Sequence, residues 1–193
     1  MEPASPSQGI PDLGDLTVPD AITPVLGHRL WEVRHGTLRS LWCGAFPWDP
    51  HGRAKATCHH PQGPWVSLLT GRHLPLHAAP DPRCSCGIYA ASAPEDLPAD
   101  WNGTRDLVIW GTVALWGRVV VAERGWRGQF ARPVTLTYEP CPQWRGQVNV
   151  SNPEWRRFTI AEVARHYQLP VFQTGIEAWT RGQDLLRQPG AAA

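Results

Sequence analysis

Cys84 and Cys86 stand one residue apart in the run HAAPDPRCSCG, with Pro82 before them and Gly87 after. A turn at that point aims two thiols at a common volume. Thiolate sulfur and imidazole nitrogen are the donors that tetrahedral zinc takes, four of them at ~2.0–2.3 Å. His77 opens the same run, and Cys58 opens the irregular stretch that leads to it. Together Cys58, His77, Cys84 and Cys86 make a Cys3His set. Cys43, His59, His60 and His73 are rival donors. Four protein ligands would close the site and make the metal structural, whereas three would leave a position open for chemistry. An iron–sulfur cluster draws on the same thiolates, and a histidine ligand counts against it.

Two metal-free readings compete. The C-x-C spacing differs from the C-x2-C of zinc knuckles, and two cysteines alternating in a strand are often plain buried or half-buried thiols. Alternatively, Cys84 or Cys86 pairs with His77 as nucleophile and base, which would make the chain a small enzyme acting in the 58–91 region. No G-x-S-x-G, H-E-x-x-H or Walker loop accompanies that pair. The sequence leaves enzyme and non-enzyme both open and assigns no catalytic residue.

A second feature interleaves arginine with aromatics, in Arg124–Arg132 and again from Trp144 to Arg157. Stacking plus phosphate contacts could hold a single nucleic-acid strand. The alternative is arginine lying over tryptophan on the outer face of a sheet. The net charge of +1 gives no basic field, so the second reading is preferred and nucleic acid is not expected as a partner.

The candidate ligands need elements to position them. His28–Val33 and Leu38–Cys43 alternate around the turn His35-Gly36 and predict a hairpin. Residues 58–83 hold many His and Pro and little periodicity, so they read as a long loop, and a loop of that length is usually functional or pinned. Gly87–Ala91 reads as a strand or a short helix, and Ala93–Trp101 as one helical turn. Residues 106–139 read as an antiparallel meander: Leu107, Ile109, Val113, Leu115, Val119 and Val121 share a face. Trp126–Ala131 and Val134–Tyr138 are its returning strands. Gly111 and Gly117 mark a bulge or a close backbone approach. Residues 140–157 read as a loop. Thr159-Ile160-Ala161-Glu162 matches a capping box for a helix that Pro170 ends near Gln168. Ile176–Arg187 predicts a second helix.

These elements predict an α+β fold, with an antiparallel, partly barrel-like sheet from 28–139 and two C-terminal helices packed on it. The expected organisation is a flexible arm at 1–24, one globular domain at 25–188 and a frayed tail at 189–193. With 193 residues, 42% of them hydrophobic, the chain is long enough and apolar enough for a core of its own. No stretch approaches the ~20 apolar residues of a membrane span, and the N-terminus lacks the charged and apolar regions of a signal peptide. A cytoplasmic location and no membrane partner are therefore expected. Five cysteines is an odd number, and with no secretion signal a disulfide framework is not expected. Lys and Arg total 18; Lys55 is the one lysine, which leaves 17 arginines. That bias is read as the imprint of a GC-rich bacterial genome. The 11 tryptophans are scattered along the chain and read as core residues in place of Phe and Leu. Oligomeric state is not set by any of this.

The blocks HAAPDPRCSCGIYA at 77–90 and LWGRVVVAERGWR at 115–127 resemble an uncharacterised small-protein family of high-GC, actinobacterial-type bacteria. The resemblance spans roughly 28–172 and implies a compact bacterial domain with no activity to carry over. A second resemblance is to ADP-ribosyltransferase-like folds, through Leu76-His77 and Gly87-Ile88-Tyr89. Cys84 and Cys86 have no place in that pattern, and no downstream catalytic Glu is evident. Taken together, the sequence predicts a zinc-stabilised binding or accessory module of unknown partner, with a small enzyme using an open zinc site or a Cys–His pair as the alternative.

Overall fold

The computed structural model describes residues 23–41, 46–58, 77–98, 107–144 and 152–188. The expectations for most of the N-terminal arm, for the tail and for Cys43, His59, His60 and His73 lie outside these residues.

The chain begins with the predicted hairpin. β1 (Val25–Arg34) and β2 (Thr37–Ser40) pair antiparallel around His35 and Gly36, which both take positive φ. Two such residues twist the turn in the sense the strands require. β2 ends at Ser40, short of the predicted Cys43. β3 (Ala54–Lys55) and β4 (Ile88–Ala91) are short strands on either side of the Cys/His-rich segment. A 3-10 turn, Pro94–Asp96, follows.

β5 (Leu107–Ala122) and β6 (Gly125–Thr137) form one long hairpin. The predicted meander is corrected here: the two returning strands expected at Trp126–Ala131 and Val134–Tyr138 are one continuous strand that crosses Pro133 and ends at Thr137. Proline lacks the ladder donor, and the sheet absorbs it with a register shift opposite Thr112/Val113. A second shift lies between Trp116 and Val119, where Gly117 takes φ +71°. Past that bulge the one-face pattern fails, and Val121 is exposed. Gly111 serves the other predicted role, since a Cβ there would lie 2.0 Å from the Thr135 carbonyl oxygen.

β1 pairs with β5, β5 with β6, β6 with β4, and β4 returns to β1 through the one pair His28↔Ala91. These four strands form a ring closed at its weakest point. β3 extends it along β6, and β7 (Val171–Phe172) adds the parallel pair, also on β6. The fold is therefore α+β, with a mostly antiparallel seven-stranded sheet.

α1 (Pro153–Tyr167) begins six residues before the predicted Thr159. Asn152 caps it, its side chain accepting from the Trp155 N–H at 2.9 Å, and Pro153 occupies the first turn, where no intrahelical donor is lost. Thr159-x-x-Glu162 sits inside the helix and caps nothing. The capping box belongs to α2 (Gly175–Arg187), where Thr174 accepts from the Glu177 N–H at 3.2 Å and Glu177 reaches back to the Thr174 N–H. The predicted end of α1 is correct: Gln168 takes a left-handed conformation and Pro170 follows.

The main core fills the ring between the sheet and α1. Trp31, Leu38, Ile109, Val113, Leu115 and Leu136 pack there with Ile160 and Val163 of α1. Tyr167 pins α1 to the hairpin, donating to the Trp48 carbonyl at 2.7 Å and accepting from the Leu38 N–H at 3.0 Å. α2 lies on β5 and β6, with Gly175 against the Trp110 ring and the Ala178 carbonyl accepting from Thr135 at 3.2 Å. Trp31, Trp48 and Trp110 are buried core residues, as expected for tryptophan here, whereas Trp155 is exposed.

Candidate metal centre

The ligand loop is made by its punctuation. Asp81 accepts from the Arg83 N–H through its side chain (2.8 Å) and from the Cys84 N–H through its carbonyl (3.1 Å), closing a turn over Pro82. Gly87 then takes φ +129° and passes the chain into β4. A Cβ at Gly87 would lie 2.9 Å from the Arg127 Cβ, so glycine is needed there for space as well as conformation. Cys58 arrives from the other side, three residues beyond β3.

The result is a convergence of all four predicted donors. The Cys58 and Cys84 sulfurs are 3.8 Å apart, and His77 Nε2 lies 3.2 Å from Cys86 Sγ. Every donor atom of Cys58, His77, Cys84 and Cys86 lies within 4.8 Å of the others, and all four residues are half-buried. Two sulfurs ~2.3 Å from one tetrahedral ion stand ~3.8 Å apart, which is the Cys58–Cys84 spacing. It is too long for a disulfide, and these cysteines are free. Cys141 is buried in a separate apolar cluster and takes no part.

The thiols differ electrostatically. Burial pushes the Cys58 thiol up to about 11, with the neighbouring Cys84 adding to the shift. Burial also pushes Cys86 up. Cys84 is held down by the backbone N–H of Cys86. A coordinated divalent cation would override these differences, because a thiol bound to it is deprotonated outright.

Two arginines from the long hairpin hold the loop from below, and sequence reasoning missed both. Arg127 of β6, itself buried, donates to the carbonyls of Asp81, Cys84 and Cys86, the last at 2.9 Å. Arg118 of β5 donates to the carbonyls of Ala78 and Pro80 at 3.3 and 3.4 Å. The arginine–aromatic interleaving had flagged this region, and Arg127 does lie 5.9 Å from the Tyr89 ring centroid. Its hydrogen bonds, however, go to the ligand loop. Three thiolates and a divalent ion would carry a net negative charge, and these two guanidinium groups stand where they would balance it.

A search of the known protein families, of curated proteins and of solved structures finds no match for this chain.

Proposed function

We propose that this protein is a zinc-stabilised binding or accessory module of the bacterial cytoplasm, in which Cys58, His77, Cys84 and Cys86 hold one zinc ion in a closed tetrahedral site. The observation that carries the reading is the convergence of four soft and borderline donors, delivered by two separate segments, within 4.8 Å of one another. Thiolate and imidazole together favour zinc over the oxygen-seeking cations. Four protein donors leave no position for a reacting water, which makes the ion structural and argues for binding over catalysis. The two blocks that resemble the high-GC bacterial family fit the same reading. The C-x-C-G-I-Y-A block supplies two ligands and β4, and the L-W-G…G-W-R block supplies Arg118 and Arg127, which hold the ligands' loop.

A thiol–imidazole pair is the second reading, favoured by the 3.2 Å approach of His77 to Cys86. It is weakened by the thiol itself, since burial pushes Cys86 up and a nucleophile needs the reverse. The test is metal content by plasma mass spectrometry on tag-free protein, beside a Cys58→Ser, Cys84→Ser double variant. About one zinc per chain, lost in the variant together with thermal stability, supports the module. A metal-free wild type whose Cys86 is alkylated rapidly at neutral pH supports the pair instead.

A further inference from the structure

The four donors reach the site on two separate pieces of chain. Cys58 comes in three residues beyond β3, while His77, Cys84 and Cys86 come on the stretch that leads into β4. Their contacts divide them into two pairs. Cys86 Sγ is met by the His77 ring at 3.2 Å. The sulfurs of Cys58 and Cys84 stand 3.8 Å apart, in van der Waals contact across the join between the two pieces. A disulfide bond is ~2.05 Å long, so closing this pair takes a relative movement of less than ~2 Å.

The surroundings favour that closure in three ways. The site lies within reach of a small solute: all four residues are half-buried, and the Arg83 side chain beside Cys84 is 93% exposed. Cys141, buried in its apolar cluster, is shielded by comparison. Next, Arg118 and Arg127 grip backbone carbonyls of the loop, among them those of Cys84 and Cys86, and not the sulfurs. The loop therefore keeps these anchors whatever the sulfurs bond to. Last, a Cys58–Cys84 bond would tie together the same two pieces of chain that the ion ties, across 26 positions of sequence. A cross-link of that span restrains the unfolded chain and so supports the fold when the ion has gone.

From this geometry we infer that Cys58 and Cys84 are a thiol–disulfide switch built into the metal site, closed by a hydroperoxide, and that closure discharges the ion by removing two of its four donors. The inference deepens the zinc-module reading by naming its regulation. Only the discharge rests on that reading; the joining of the two sulfurs does not. In the first step one thiolate attacks a peroxide oxygen, the O–O bond breaks, the sulfur keeps a hydroxyl as sulfenic acid and hydroxide leaves. In the second the other thiolate attacks that sulfur, the S–S bond forms and a second hydroxide leaves. Two electrons pass from the sulfurs to the peroxide, and two solvent protons turn the hydroxides into water.

The experiment measures zinc in the full chain as purified. One equivalent of hydrogen peroxide is then added with a chromophoric zinc chelator present, beside a sample without peroxide. Chelator absorbance, intact mass, non-reducing peptide maps and melting are read. One zinc should be lost for each disulfide formed, the mass should fall by two hydrogens, and the Cys58 and Cys84 peptides should be joined. A cooperative melting transition should remain, and dithiothreitol with added zinc should restore the starting state. Cys141→Ser should behave as wild type. A disulfide that uses Cys43 or Cys86 in place of this pair, sulfinic acid without a disulfide, zinc retained after closure, or loss of the melting transition on closure would each overturn the inference. Zinc-loaded protein that stays reduced would sink the switch alone, while a zinc-free wild type in which Cys58 and Cys84 still join would sink the metal reading alone.

Discussion

The guanidinium of Arg127 reaches three carbonyls of the ligand loop from a strand more than forty residues further along the chain. The four donors themselves were legible in the sequence, because residue type and a turn bounded by Pro82 and Gly87 are local signals. Arg127 was not, because its role is set by a contact that only the β4–β6 pairing creates. Replacing it with alanine would leave three part-buried carbonyls without that donor, at a cost of about 1–3 kcal/mol. Arg127→Ala should therefore lower the denaturant midpoint and release zinc faster to a chromophoric chelator. Arg127→Lys should recover part of either, since all three acceptors converge on one nitrogen of Arg127 and an ammonium carries three donors, but on a more flexible stem. His28 carries a second residue-scale prediction. Burial against Trp179 and Trp110 lowers its pKa to about 4 from 6.5, with Glu95 opposing weakly. The unfolded chain then binds the proton that the folded chain refuses. Stability is full above pH 6.5 and falls as pH drops toward 4, by at most about 3 kcal/mol for a shift of this size. Unfolding of His28→Phe and wild type compared at pH 7.5 and 5 should show a smaller loss in the variant; equal losses would show that His28 is not responsible.

The first hairpin and α2 were read correctly from short-range properties such as alternation and turn residues, whereas the second hairpin was read as a meander with two returning strands. The start of α1 was missed for a physical reason. Pro153 looks like a loop residue, yet proline is well suited to the first helical turn, and Asn152 before it is a good cap. The text Thr159-x-x-Glu162 matched a capping box in a place where the backbone N–H groups already have helical partners. The working box is Thr174 with Glu177, and Glu139 adds a carboxylate at the same helix end by accepting from the Gly175 N–H at 2.9 Å. Thr174→Ala should cost about 1 kcal/mol. Thr159→Ala, in the helix interior, should be neutral or slightly stabilising, because alanine is the better helix former. Chemical denaturation of the two variants side by side decides the assignment; a larger loss for Thr159→Ala would contradict it.

At the scale of the molecule, two structures of different character share one chain. The ring of β1, β5, β6 and β4 with α1 encloses the main core and is held by burial. The ligand-bearing stretch His77–Cys86 is held by Arg118, by Arg127 and, on the proposed reading, by zinc. The general α+β plan could be anticipated from element order, whereas the ring closure at His28↔Ala91 could not, since it depends on strands distant in sequence meeting at one pair. The claim that joins the two parts is that four protein donors hold one zinc. X-ray absorption at the zinc edge of the purified protein tests it most directly. The account predicts a first shell of three sulfurs at ~2.3 Å and one nitrogen at ~2.0 Å, with no oxygen. A shell with fewer sulfurs, a water oxygen in the fourth position, or protein that carries no zinc would contradict it.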